Sequence, residues 1–232
     1  MDYIVNREVT LVDTVRVLID HEDEESLPTG DDRLNFMRHM MINSAMSMPA
    51  KVANEAIPMK KCCGKASYTI ATLKEAIKCN VRQDLFNVTV DGKKVTREGK
   101  DDVGTVLLMP FNGKNTGAGM IINPFAVMND GLVDLTFMSD ERRMGLFGIA
   151  DLLDKAAKKG GIQTYENAFT HVRGKSIRIE FYGSHKRKPK KGFGQQLLGI
   201  DGEDLRFSNF VKYDCVPANV EFLFNPNTYY ND

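Results

Sequence analysis

The stretch Gly117–Asp134, GAGMIINPFAVMNDGLVD, constrains the folds open to this chain more than any other. Its opening glycines let the backbone turn or bulge where a Cβ would clash. Ile121 and Ile122 form a short β-branched run, and Asn123-Pro124 ends it, because proline lacks an N–H and pushes its neighbour out of the helical region. Asn129-Asp130-Gly131 is then a tight-turn signal, since asparagine and glycine tolerate positive φ. Beyond the turn, Val133, Leu135 and Phe137 alternate with polar residues, which predicts a strand with one buried face. Asp130 stands at the mouth of that strand, beside carbonyls the turn leaves unpaired, a geometry that attracts a hard cation. The same dipeptide equally serves a hairpin turn with no ligand.

The rest of the chain repeats this strand-and-turn grammar. Thr10–Ile19 is rich in valine and leucine and runs into an acidic, solvated connection at His21–Ser26. Phe86, Val88 and Val90 alternate into Asp91-Gly92, a second hairpin turn, and Val103–Pro110 is another strand. Ile177, Ile179 and Phe181 alternate with polar residues, and Gln196–Ile200, Leu205–Tyr213 and Asn219–Phe224 complete the strands. A short helix is expected over Ala50–Pro58. Ser67–Asn80 reads as a helix with Ile70, Leu73 and Ile77 on one face, and Gly145–Lys159 as a second, stopped by Gly160-Gly161. The predicted class is α+β and β-rich, an antiparallel β-sandwich or curled sheet with two main helices. Residues 1–232 are read as a single domain.

Acidic and basic residues balance at 31 each, so no global field draws the chain to nucleic acid, and any anion binding is local. The densest charge run is HKRKPKK, where Lys186, Arg187, Lys188, Lys190 and Lys191 flank Pro189. It reads as a basic loop that is either merely solvated, a nuclear-import address, or a contact for anionic lipid or another chain. Four cysteines form neither a CxxC pair nor a zinc pattern, there is no signal-peptide core, and no apolar run approaches membrane-spanning length. The expectation is an intracellular chain, cytoplasmic or peripheral at a membrane.

Four landmarks in order resemble one family. Val12–Val17 is similar to the strand entering the second domain of the diacylglycerol, sphingosine and ceramide kinases, and Gly64–Tyr68 to its Gly-x-x-x-Tyr helix start. Asp130-Gly131-Leu132-x-Asp134 resembles its first acidic motif and Ile200-Asp201-Gly202-Glu203 its second. The family's Gly-Gly-Asp-Gly-Thr phosphate loop does not occur, so the chain resembles the C-terminal lobe without the nucleotide-binding lobe.

The resemblance implies a lipid hydroxyl as substrate, ATP and Mg²⁺ as cofactors, and Asp201 and Glu203 facing the catalytic cleft. Residues two apart at a strand end share a side, which would point both carboxylates the same way. Asp130 and the Leu132 carbonyl resemble the family's separate structural magnesium site. Three readings follow: a lipid kinase whose nucleotide lobe is on another chain or has been lost from this one, a noncatalytic subunit of a larger assembly, or a lipid-binding domain.

Overall fold

Strand β1 (Thr10–Ile19) is central because its valines and leucines are covered on both faces over most of their length. The computed structural model describes residues 9–64, 66–79, 84–95, 103–116, 120–138, 169–184 and 195–222. The remaining strands are β2 (Met37–Met40), β3 (Ser44–Ser47), β4 (Asp84–Val90), β5 (Lys93–Lys94), β6 (Val103–Thr105), β7 (Leu107–Phe111), β8 (Asn115–Thr116), β9 (Met120–Ile121), β10 (Val133–Met138), β11 (Phe169–Gly174), β12 (Ser176–Ser184), β13 (Gln196–Ile200), β14 (Glu203–Phe207) and β15 (Phe210–Phe222).

Two antiparallel sheets face each other. One runs β2-β1-β15-β12-β4-β5, with β6 also on β4; the other runs β11-β10-β7-β3-β13-β14. Period-two alternation puts Val15, Val17, Val88, Ile177, Ile179 and Val211 of the first sheet against Met46, Leu108, Val133, Leu135, Phe137 and Leu198 of the second. The predicted β-rich sandwich is therefore the fold. β10 departs from the half-buried expectation: all six of its residues are buried. Its second face is covered too, where Met138 joins Met109, Phe111, Ile122, Ala126 and Phe169 in a separate apolar cluster.

Helices α1 (Met48–Cys63) and α2 (Ala66–Cys79) form a hairpin packed through Val52, Ala56 and Ala71. Pro49 opens α1, where its missing N–H has no intrahelical partner to lose, and Gly64 at φ 52° closes it. Thus α2 matches the predicted helix within a residue or so, and α1 extends well past the expected short segment. The helix expected over 145–159, the basic loop at 185–191 and the glycines at 117–119 lie outside the described residues. β15 also differs from expectation, running unbroken from Phe210 to Phe222 rather than restarting near Asn219. Its irregularity is a bulge: pairing with β1 slips between Val12 and Thr14, and Ala218 takes φ 50°.

Candidate functional site

Asp201 and Gly202 are the two-residue turn between β13 and β14, with φ of 46° and 92° and Ile200 paired with Glu203. Positive φ at both positions is the geometry of a type I′ hairpin, which suits strand twist and favours Asp-Gly. This corrects one expectation: Asp201 and Glu203 do not share a face of one strand, because the chain reverses between them. Asp201 belongs to the turn, and Glu203 opens the returning strand.

The two carboxylates have different surroundings. Asp201 Oδ1 accepts the N–H groups of Ile42 and Asn43, both at 2.9 Å, and Oδ2 accepts that of Met41 at 2.6 Å. The Asp201 N–H returns a bond to the Asn43 carbonyl at 2.9 Å. The hairpin is thereby fastened to the turn between β2 and β3. Glu203 instead has a side chain 71% exposed, its Oε2 3.5 Å from Arg38 Nε. One acid is committed to the backbone and the other is presented to solvent beside a cation.

Asp20 repeats the device at the end of β1. It too has positive φ, and its carboxylate accepts the N–H groups of Ser208, Asn209 and Phe210 at 2.7, 2.6 and 3.0 Å. The Asp20 clamp holds the far end of β14, and the Asp201 clamp its near end. Side-chain bonds replace ladder bonds where the chain turns, so these exposed connections keep their N–H groups satisfied.

Asp130 lies elsewhere, at the entry to β10. Its Oδ1 accepts the Leu132 N–H at 3.1 Å, closing an Asx turn, and its Oδ2 lies 3.1 Å from Arg173 Nη2. Burial raises its pKa above the usual carboxylate value; Arg173 and the Leu132 N–H oppose that, while Asp134 and Asp13 reinforce it. Asp13, the β1 residue opposite the bulge of β15, spends its carboxylate on the N–H groups of Gly131 and Ala218, at 2.7 and 2.8 Å. Among the described residues, no group of three or more His, Cys, Asp or Glu side chains is arranged to hold a metal ion. Both Asp130 oxygens are engaged, one by a guanidinium. The arrangement does not fit the magnesium site that the resemblance implies through Asp130 and Leu132.

Sequence reasoning missed Arg173, Asp13 and a third polar cluster. Ser47 ends β3 at φ 61° and ψ −130°, and its hydroxyl donates to Asp84 at 2.5 Å, with Lys51 Nζ 3.4 Å from the same oxygen. A small cavity beside this cluster is lined by Phe86, Phe181, Leu197 and Phe207. Asp13 alone had a visible signal, a charge inside a valine-rich strand. The others are brought together only by the tertiary fold: Arg173 reaches Asp134 through β10–β11 pairing, and Ser47 and Lys51 reach Asp84 where one sheet and α1 meet the other sheet.

Residues 44–224 match the family described as the YegS C-terminal NAD kinase beta sandwich-like domain. The chain belongs to that family. It thus corresponds to the C-terminal lobe of the lipid kinases. A relative described as "Probable lipid kinase YegS-like", from Shewanella frigidimarina (strain NCIMB 400), is 26% identical over 206 residues, spanning 88% of this chain and 57% of the relative. The chain therefore spans little more than half the length of that curated relative. A crystal structure of a diacylglycerol kinase from Bacillus anthracis str. Sterne aligns with TM-score 0.55 and 17% identity, over 97% of this chain and 57% of that one. A further crystal structure from the same organism aligns with TM-score 0.59 and 20% identity, over 97% and 60%. These structural likenesses show a shared fold. In the YegS-like C-terminal lobe described here, no helix of the described residues is long and apolar enough to cross a membrane.

Proposed function

We propose that this chain is the lipid-receiving lobe of an ATP-dependent lipid kinase, active when a nucleotide-binding lobe is supplied with it. The observation that carries the reading is the contrast at the β13–β14 hairpin: Glu203 is exposed beside Arg38, on a turn that Asp201 fastens through three backbone N–H groups. Phosphoryl transfer is largely a matter of positioning and electrostatics. In this proposal Glu203 takes the proton of the attacking lipid hydroxyl as its oxygen bonds to the γ-phosphorus. The bond from that phosphorus to the β–γ bridging oxygen breaks, and ADP leaves. Asp201 acts by holding the turn, and Arg38 by orienting the Glu203 carboxylate from one side. ATP supplies the phosphoryl group, and it arrives with the partner lobe together with its magnesium. Diacylglycerol, sphingosine and ceramide all carry a suitable hydroxyl.

The basic run Lys186, Arg187, Lys188, Lys190 and Lys191 completes the proposal as a contact for an anionic membrane surface, where each cation adds roughly 1 kcal/mol. Neutralising it should weaken sedimentation with phosphatidylserine vesicles at low salt; unchanged sedimentation removes this part.

The test is to purify the chain with its native partners, identify any polypeptide carrying a glycine-rich nucleotide loop, and assay transfer of labelled phosphate to the three lipids. Glu203→Gln should lower transfer by about 10²–10⁴-fold, the range for loss of a general base, with little change in thermal stability. Full activity in Glu203→Gln refutes its role. A second reading, a noncatalytic subunit, draws on the full engagement of Asp201 with the backbone; it predicts that the purified assembly transfers no phosphate.

A further inference from the structure

The oxygens gathered around one nitrogen of Arg173 are those a hard cation would choose. Nη2 lies 3.1 Å from Asp130 Oδ2, 3.2 Å from Asp134 Oδ2 and 3.3 Å from the Phe125 carbonyl. Nε adds a bond to Asp134 Oδ1 at 3.1 Å, so the guanidinium grips that carboxylate with both prongs. Two carboxylates and a loop carbonyl converging on one point make a familiar partial ligand set for calcium or magnesium. Here the point of convergence is already positive.

Strand register delivers the guanidinium there. Asp134 of β10 and Arg173 of β11 are direct cross-strand partners, and Asp134 is buried, so it gains from a fixed counter-charge. From that footing Nη2 spans to the 129–131 turn through Asp130 and to the 123–128 loop through Phe125. A planar fork reaches three acceptors in this way, whereas an ammonium could not hold Asp134 with two parallel bonds. A metal ion at the same point would face a like charge about 3 Å away, worth several kcal/mol even at surface-like screening. It could enter only if Arg173 let go of Asp130 and Phe125.

We infer that Arg173 is a built-in counter-ion: it closes the 123–134 turn in place of a structural divalent cation, and this corner of the lobe folds without metal. The inference rests on the fold and the residues above, and it is independent of whether the chain transfers phosphate.

The test uses the whole chain and Mn²⁺ alone as the probe, read by the loss of free-ion signal in electron paramagnetic resonance. Wild type should leave that signal undiminished and unfold at the same temperature in EDTA and in MgCl₂. Arg173→Met leaves Asp130 and Asp134 without their shared cation; it should melt lower in EDTA, take up Mn²⁺ and regain stability in MgCl₂. Stoichiometric Mn²⁺ binding by wild type that Asp130→Asn removes overturns the inference, as does an Arg173→Met chain that melts with wild type in EDTA. Should Arg173→Met fail to fold in EDTA, refolding in MgCl₂ but not in NaCl of matched ionic strength supports the inference, and failure in both overturns it.

Discussion

Replacing Asp201 by alanine tests the clamp on which the proposed site stands. Three backbone N–H groups, those of Met41, Ile42 and Asn43, lose their acceptor. Bonds to a charged group are worth more than neutral ones, but this turn is exposed and water replaces part of what is lost. The low figure of about 1 kcal/mol per bond is therefore appropriate, about 3 kcal/mol in all. Alanine at a φ of 46° adds about 1 kcal/mol of backbone cost. For a chain of 232 residues, about 4 kcal/mol lowers the melting temperature by about 8–16 °C. Asp201→Asn should be milder. Its oxygen can keep the Ile42 and Asn43 bonds, asparagine tolerates positive φ, and only the Met41 N–H is left facing an amide NH₂, a loss of about 1–2 kcal/mol. Calorimetry of the two variants beside the matching pair at Asp20 isolates the effect, because Asp20 makes the same three-bond clamp at the other end of β14. Both alanine variants should melt low, whereas phosphate transfer by the assembled kinase, corrected for folded protein, should fall only in the Asp201 pair. An Asp201→Ala chain that melts with wild type refutes the reasoning.

Three other outcomes follow from particular contacts. Gly174→Ala would set a Cβ 2.4 Å from a Val90 methyl and 2.8 Å from the Asp91 carboxylate, so it should destabilise by about 1–3 kcal/mol; a neutral result by urea titration would mean β11 has room to shift. Burial lowers the pKa of His171 despite the opposing pull of Asp134, so the folded chain binds fewer protons than the unfolded one just below the ordinary value of 6.5. Stability should therefore decline as pH falls from about 6.5 toward the lowered value, and a His171→Gln chain should show a shallower slope in that window; identical slopes contradict it. Burial, reinforced by Asp13 and Asp130, pushes the Cys215 thiol up to about 12, so at pH 8 iodoacetamide should label exposed Cys62 readily and Cys215 only after unfolding, as peptide mass spectrometry will report. Equal labelling rates in the folded chain would contradict this.

The strands and their turns were legible because their causes are local. Alternation at Phe86–Val90 and Ile177–Phe181, and the Asp-Gly pairs at 91 and 201, record the period-two geometry of a pleated ribbon and the φ values of a type I′ turn. The full burial of β10 was not legible, because its second face is covered by Ile122, Ala126 and Phe169, drawn from other parts of the chain. Likewise Asp201 and Glu203, two residues apart, suggested a shared side until the reversal between β13 and β14 separated them.

The amino-acid sequence by itself determined that this is a β-rich chain of hairpins with a helix over 67–80, and it marked Asp130, Asp201 and Glu203 as acids at turns. Tertiary structure alone decided what each acid does. Asp201 is spent on the 41–43 backbone, Asp130 on Arg173, and Glu203 is left exposed. The physical reason is range. Turn and strand preferences act over a few bonds, whereas the partner that sets a carboxylate's role comes from strand pairing, 39 residues away for Asp134 and Arg173 and 158 for Asp201 and Asn43.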